Sequence, residues 1–279
     1  MFTESYMVRA LLAAALLAPV CAFLGVFVTA RKMSFFSDTI AHGALAGVAI
    51  GVWLGLTELT VPMILFSLLV AGALIWIKAN TELMTDTIMA LLLSGSVALG
   101  IIILSMLRGS RAQIHNYLFG DILAVGPRDV WFAVILFAVV FVGLFWRLSE
   151  ITLLSASEEV AYVCGVRVQA LNYLFIFTLT IAVALTIRLL GIILVTALIV
   201  IPPAVARNIS RNLRQEIVLS IASGLAGGVG GIFASYHLDV PCGPTIVLTL
   251  IALFVGTLLI GKIFVSRRFH EKTLTPKSA

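Results

Sequence analysis

Asp38 and His42 are the pair in this sequence whose residue types and spacing most plainly suggest chemistry. They lie in SDTIAHG (37–43), inside a long apolar run. On a helix, a separation of four puts them on one face, about 6 Å apart along the axis. A carboxylate oxygen and an imidazole nitrogen so placed form half of a divalent-metal site, and both suit zinc and manganese. The same residues also fit a plainer role, with Asp38 after Ser37 at a helix start favouring the helix dipole and His42 as an interior histidine. A second cluster is Tyr236-His237-Leu238-Asp239, followed by Val-Pro-Cys-Gly-Pro at 240–244. His237 and Asp239 are candidate metal ligands there, with Cys242 as a softer neighbour; the alternative is an ordinary turn made by proline and glycine. His115 and Asp121 are weaker candidates of the same kind, or interfacial polar groups.

The elements that must carry these residues are helices in lipid. The chain has 279 residues, 61% hydrophobic and only 11% charged, where a soluble domain carries about 25% charge. Nine apolar runs are visible, at 8–30, 36–56, 60–77, 87–107, 130–146, 170–187, 189–206, 215–235 and 244–264. Their length suits helices whose backbone groups bond internally, and the ten-residue alternation of an outer-membrane barrel is absent. The seventh run is short and holds Pro202-Pro203, so it predicts a broken helix and leaves the count at eight or nine. An ionisable group within such a run costs about 2.5–3.5 kcal/mol, so Asp38 and His42 are expected to face a cavity or a partner.

Charge placement gives the orientation and excludes some functions. The net charge is +5, but the basic residues sit at the ends of the apolar runs, which argues against nucleic-acid binding. With the first run crossing from outside to inside, 13 of the 18 Lys and Arg residues fall on the cytoplasmic side. The positive-inside rule then predicts a cytoplasmic C-terminus, with 265–279 as a cytoplasmic tail. The first run is of full span length, and Pro19-Val20-Cys21 offers no small residue for signal cleavage, so it is expected to be retained. Stretch 112–128 is too polar to span and predicts a re-entrant or interfacial piece. Cys21, Cys164 and Cys242 form no CxxC pair. GTLLIGK (256–262) begins like a phosphate-binding loop, but Ile263 stands where Ser or Thr must hold magnesium. No HExxH or GxSxG motif is present, so no catalytic function is expected.

Two further patterns concern packing and docking. Gly43, Gly47, Gly51 and Gly55 recur every four residues, a smooth stripe against which another helix can pack closely. Residues 149–169 form the longest cytoplasmic loop. Within it Ser155 or Ser157 can cap a short helix, Glu158 and Glu159 suit its first turn, and Gly165 can end it. Such a helix either docks a partner or is simply a surface element.

Four blocks, in order, resemble the permease family of ATP-binding-cassette zinc and manganese importers. They are RKMSFFSDTIAHGALAGVAIG (31–51), NYLFGDILAVGPRDV (116–130), LLGIILVTALIVIPPAVAR (189–207) and DVPCGPTIVL (239–248). The resemblance covers nearly the whole chain, 1–279, as one transmembrane permease domain. It implies an all-α polytopic protein of the bacterial cytoplasmic (inner) membrane, working as a homodimer. It also implies two cytoplasmic ATPase subunits that bind the ATP, and an external solute-binding protein that delivers the metal. Zn2+ is then the transported substrate, with Mn2+ or iron as alternatives, and no cofactor belongs to the chain itself. By the same resemblance, 155–167 is a coupling helix that seats Glu158, Ala161 and Gly165 in the ATPase. Asp38 and His42 match the family's intramembrane polar pair, and Asp239 matches an aspartate before the proline-glycine turn. Ser94 stands where some zinc members carry histidine, and His237 where similar chains often have an apolar residue. A rival of another class is a proton-coupled secondary cation transporter in which Asp38 and His42 relay protons; a second is a non-transporting membrane scaffold.

Overall fold

The computed structural model describes residues 5–106 and 125–274, and every regular element within them is helical. In chain order these are α1 (Ser5–Ala30), α2 (Phe36–Trp53), α3 (Thr60–Asn80), α4 (Thr85–Met106), α5 (Pro127–Phe145) and α6 (Leu148–Ala156). They continue as α7 (Glu158–Val163), α8 (Val168–Leu190), α9 (Ile192–Arg207), α10 (Leu213–Leu238) and α11 (Cys242–Leu274). Each of the nine apolar runs has its own long helix, although 189–206 begins in the last residues of α8 and 36–56 outlasts α2. The segment 107–124, with His115, Asp121 and most of the 116–130 block, lies outside the described residues. The proposed tail from 265 continues as helix to Leu274.

Six of the described helices are long and apolar enough to cross a membrane by length and composition: 7–30, 60–80, 85–106, 168–190, 213–238 and 242–259. Helices α5 and α6, bent by 70° at their junction, would together make a seventh. The expected eight or nine therefore meets six clear spans. Helix α2 spends 18 residues that include Asp38 and His42, and α9 is only 16 residues long. Pro202 and Pro203 do not break α9, which runs through both. Pro203 cannot donate to the Ile199 carbonyl. That oxygen instead points at Gly25 of α1, where any Cβ would collide with it.

The helix ends sort into two layers. At one, the end of α1 meets α6 and the start of α8 through Arg31, Ser155 and Asn172. At the other, the end of α8 meets the starts of α3 and α5 through Arg188, Thr60 and Asp129. Helix α1 is central, packing on α5, α8, α9 and α10, and Ser220 of α10 donates to its Ala22 carbonyl at 2.9 Å. Helix α2 packs on α3 and α4, and Thr39 donates to Met89 of α4 at 3.2 Å. Lipid supplies no hydrophobic drive between helices, so these small-residue contacts and interhelical bonds hold the bundle.

The glycine stripe of α2 is real over three of its four members. A Cβ at Gly47 would lie 2.6 Å from the Pro62 carbonyl oxygen, one at Gly51 2.7 Å from Pro62 Cγ, and one at Gly43 3.1 Å from Val70 Cγ2. Gly55 does not belong to it. Helix α2 has ended by Trp53, and Gly55 sits in the following turn at φ +70° with nothing within 4 Å of where a Cβ would be. It is there for its backbone conformation, not for close packing.

Candidate metal pathway and docking element

Asp38 occupies the first turn of α2 and His42 follows one turn later, near enough to interact with its carboxylate electrostatically. The preceding residue Phe35 makes no side-chain capping bond. Among the described residues, neither Asp38 nor His42 makes a hydrogen bond or ion pair, so the carboxylate is not consumed in ending the helix. Over its first three turns α2 is buried except at Asp38, His42 and Leu45, which remain half-buried. Those positions follow i, i+4, i+7 and form one strip. The rest of α2 is covered through Gly43, Gly47 and Gly51 against α3, through Thr39 and Ala46 against α4, and by further packing on α8 and α9. The strip with the two ionisable groups is thus the least covered face of these turns in a single chain.

His237 and Asp239 do not join that pair. Both are exposed, at the end of α10 in the layer opposite to the one where α2 begins. From 1.5 Å per residue, the two clusters are roughly 30 Å apart along the bundle. No group of three or more His, Cys, Asp or Glu side chains converges among the described residues. Asp239 adopts the left-handed conformation (φ 53°) that ends α10. Ser235 closes the turn by donating to the Val240 carbonyl at 2.6 Å. The His237 ring meets Tyr236 edge-on at 5.7 Å. Cys242 is buried at the start of α11.

The candidate docking element is two short helices rather than one. Ser157 caps α7, accepting from the Val160 N–H at 3.4 Å, with Glu158 and Glu159 in the first turn. Helix α7 ends in a Schellman motif around Gly165 (φ +80°), with Val166 N–H donating to the Ala161 carbonyl and Gly165 N–H to that of Tyr162, both at 3.0 Å. Ala161 is fully buried and fastens α7 to the bundle, so in this conformation it is not a surface contact as expected. Glu158 and Gly165 are exposed. They line an open groove of about 690 Å³ together with Tyr162, Arg167 and Gln169. Tyr162 (77% exposed) and Val163 (85%) present an apolar surface beside it.

Two arginines do more than their sequence positions suggest. Arg31 donates from Nε to Ser155 Oγ (3.3 Å) and from Nη1 to Asn172 Oδ1 (2.9 Å), and its guanidinium lies 4.3 Å from the centre of the Phe175 ring. Burial pushes its pKa down to about 10, opposed by the charge of Glu158, so it stays charged at neutral pH. Arg188 donates to Thr60 Oγ1 at 2.6 Å, pairs with Asp129 at 3.5 Å and lies over Phe132. In the sequence both look like helix-end charges that set orientation. No local pattern in the sequence sets either apart, because the polar partners (Ser155 and Asn172; Thr60 and Asp129) come alongside only in the fold.

The chain is similar to known proteins over most of its length. The model of the ABC 3 transport family matches residues 3–261. The high-affinity zinc uptake system membrane protein ZnuB of Haemophilus influenzae is 31% identical over 89% of this chain and 95% of its own. The manganese import system permease protein ScaB of Streptococcus gordonii is 31% identical over 92% and 91%. The structure of PsaBC from Streptococcus pneumoniae in complex with Fab superposes with a TM-score of 0.80 at 30% identity, covering 91% of each chain. This chain belongs to the ABC 3 transport family, as a membrane permease subunit and not the subunit that hydrolyses ATP.

Proposed function

We propose that this chain forms the metal pathway of an ATP-driven importer whose cargo is Zn2+, with Asp38 and His42 as the ligands that the passing ion meets within the bilayer. The observation that carries the reading is the strip of α2. Two ionisable groups without hydrogen bonds among the described residues stand on the strip of that helix's first three turns that its own chain only half covers. A second copy of the chain would close that face and complete the ligand set from its own α2. An ion held by few ligands per chain is bound weakly enough to leave again, as conduction requires. His237 and Asp239, at the opposite end of the bundle, are in position for the delivering external protein rather than for the same coordination sphere. In this reading α1–α5 and α8–α11 cross the inner membrane nine times. The C-terminus is cytoplasmic, and the groove beside Glu158 and Gly165 receives the ATPase. Mn2+ is the alternative cargo, since relatives named for manganese match as well as those named for zinc.

The test is uptake in vesicles holding the permease, its ATPase and its external binding protein. Asp38→Asn and His42→Ala are each expected to lower Zn2+ uptake by about tenfold or more, the loss of one charge-assisted ligand. Uptake should need ATP and survive a protonophore; a proton-coupled carrier would show the reverse. Normal uptake of both Zn2+ and Mn2+ by both variants removes these residues from the pathway.

A further inference from the structure

Arg31 belongs to neither the half-covered strip of α2 nor the docking groove, yet it contacts α8, whose first residues line the groove, and stands at the corner from which α2 begins. It follows directly on α1, at a corner whose backbone is fixed. Met33 N–H donates to the Val28 carbonyl (2.9 Å) and Lys32 N–H to that of Thr29 (3.1 Å), with Lys32 in the left-handed region at φ 56°. Phe36 N–H then donates to the Met33 carbonyl at 2.9 Å, so α2 starts within the same corner. A non-glycine residue held at positive φ marks a turn that its surroundings determine. Asp38 lies two residues into the helix that this corner launches. From the corner, the Arg31 side chain reaches Ser155 on α6 and Asn172 and Phe175 on α8, the helices on either side of α7. Its Nη2 is buried without a hydrogen-bond partner among the described residues. Glu158, which lines the docking groove, acts on it electrostatically.

We infer that Arg31 is a positioning residue for energy coupling: it ties the α6–α8 docking region to the α1–α2 corner, so that movement of α7 under the ATPase is passed to the start of α2 and the strip bearing Asp38 and His42. The assignment rests on the function proposed above. The planar guanidinium suits this place because its forked N–H groups bond two helices at once while its face stacks on Phe175; a lysine ammonium supplies the charge without the fork. Engagement of Glu158 by a partner changes the field at the guanidinium, which gives the docked and undocked states different contact energies at the corner.

The experiment uses the full transporter, permease with its ATPase and external binding protein, in proteoliposomes, and reads Zn2+ taken up per ATP hydrolysed. Arg31→Gln is expected to retain the ATPase and its hydrolysis while the ratio falls by about tenfold, the loss expected for hydrogen bonds from a charged donor. Asn172→Ala, which keeps the charge, should give a smaller fall, and Arg31→Lys an intermediate one. A readout independent of transport is hydrogen–deuterium exchange at 31–36: in the wild type it should change when ATP is added to the complex, and in Arg31→Gln it should not. An unchanged ratio in Arg31→Gln, or uptake and hydrolysis falling in step, overturns the assignment. If Arg31→Gln does not accumulate, an unchanged ratio and wild-type exchange in Asn172→Ala and Ser155→Ala overturn it equally. A wild-type complex that imports neither Zn2+ nor Mn2+ on ATP addition defeats the proposed function instead, and the exchange measurement alone then decides the role of Arg31.

Discussion

Alanine at Gly47 should damage the protein more than alanine at Gly43, although both lie on the same stripe. A Cβ at Gly47 would stand 2.6 Å from the Pro62 carbonyl oxygen and 2.9 Å from both Met63 Cα and Phe66 Cβ. Ordinary contact begins at 3.4 Å, so the shortfall is about 0.8 Å. Two of the three obstructing atoms are backbone, so α3 as a whole must move. At Gly43 the nearest atom is the Val70 Cγ2 methyl at 3.1 Å, a shortfall of about 0.3 Å that a small side-chain adjustment absorbs. Overpacking of the first kind costs about 1–3 kcal/mol. For Gly47→Ala a value near 2 kcal/mol corresponds to a fall of roughly 4–8 °C in Tm. Gly43→Ala should stay within about 0.5 kcal/mol of the wild type. The assay is thermal unfolding of purified transporter at a fixed scan rate, since unfolding in detergent is commonly irreversible. Moving α2 off α3 also displaces Asp38 and His42, so Zn2+ uptake by Gly47→Ala should fall more than its folded amount. Equal Tm losses for the two variants would refute the claim that backbone approach at Gly47 sets the α2–α3 distance.

The remaining predictions concern the two ends of the bundle. Arg188→Met leaves Asp129 half-buried without its cation and should cost about 1–3 kcal/mol. Adding Asp129→Asn should recover part of that loss in the same thermal assay, as neighbouring sites in one network are not additive. Cys164 is exposed, whereas Cys21 and Cys242 are buried. An impermeant maleimide should therefore label only Cys164, in inside-out but not right-side-out vesicles, and the bound ATPase should slow the labelling. Labelling from the outside would invert the proposed orientation.

The helices were legible in the sequence because apolar runs and lipid leave a chain few options. The short capped helix was legible for a similarly local reason: Ser157 and Gly165 act on backbone groups within a few residues of themselves. What the sequence hid was direction around a helix axis. Ala161 reads as a contact residue on a surface helix, yet its side faces the bundle. Gly55 continues a four-residue period after the helix that gives the period meaning has ended. Pro202-Pro203 looks like a break because the pattern cannot show that Gly25, in a helix far away in sequence, makes room for a freed carbonyl. Arg31 and Arg188 merge into the count of helix-end charges until their partners, from more than fifty to more than a hundred positions away, are brought alongside.

The centrality of α1 carries a consequence for biogenesis. This helix is made before the helices that enclose it, and the group that bonds its Ala22 carbonyl, Ser220, follows 198 residues later. At the usual 5–20 residues per second, translation alone imposes a wait of about 10–40 s. During that interval a helix dense in alanine, built for close neighbours, must sit in lipid with only its early partners. Its length and apolar character make that wait tolerable, and they leave α9 and α10 to enclose a helix made long before them.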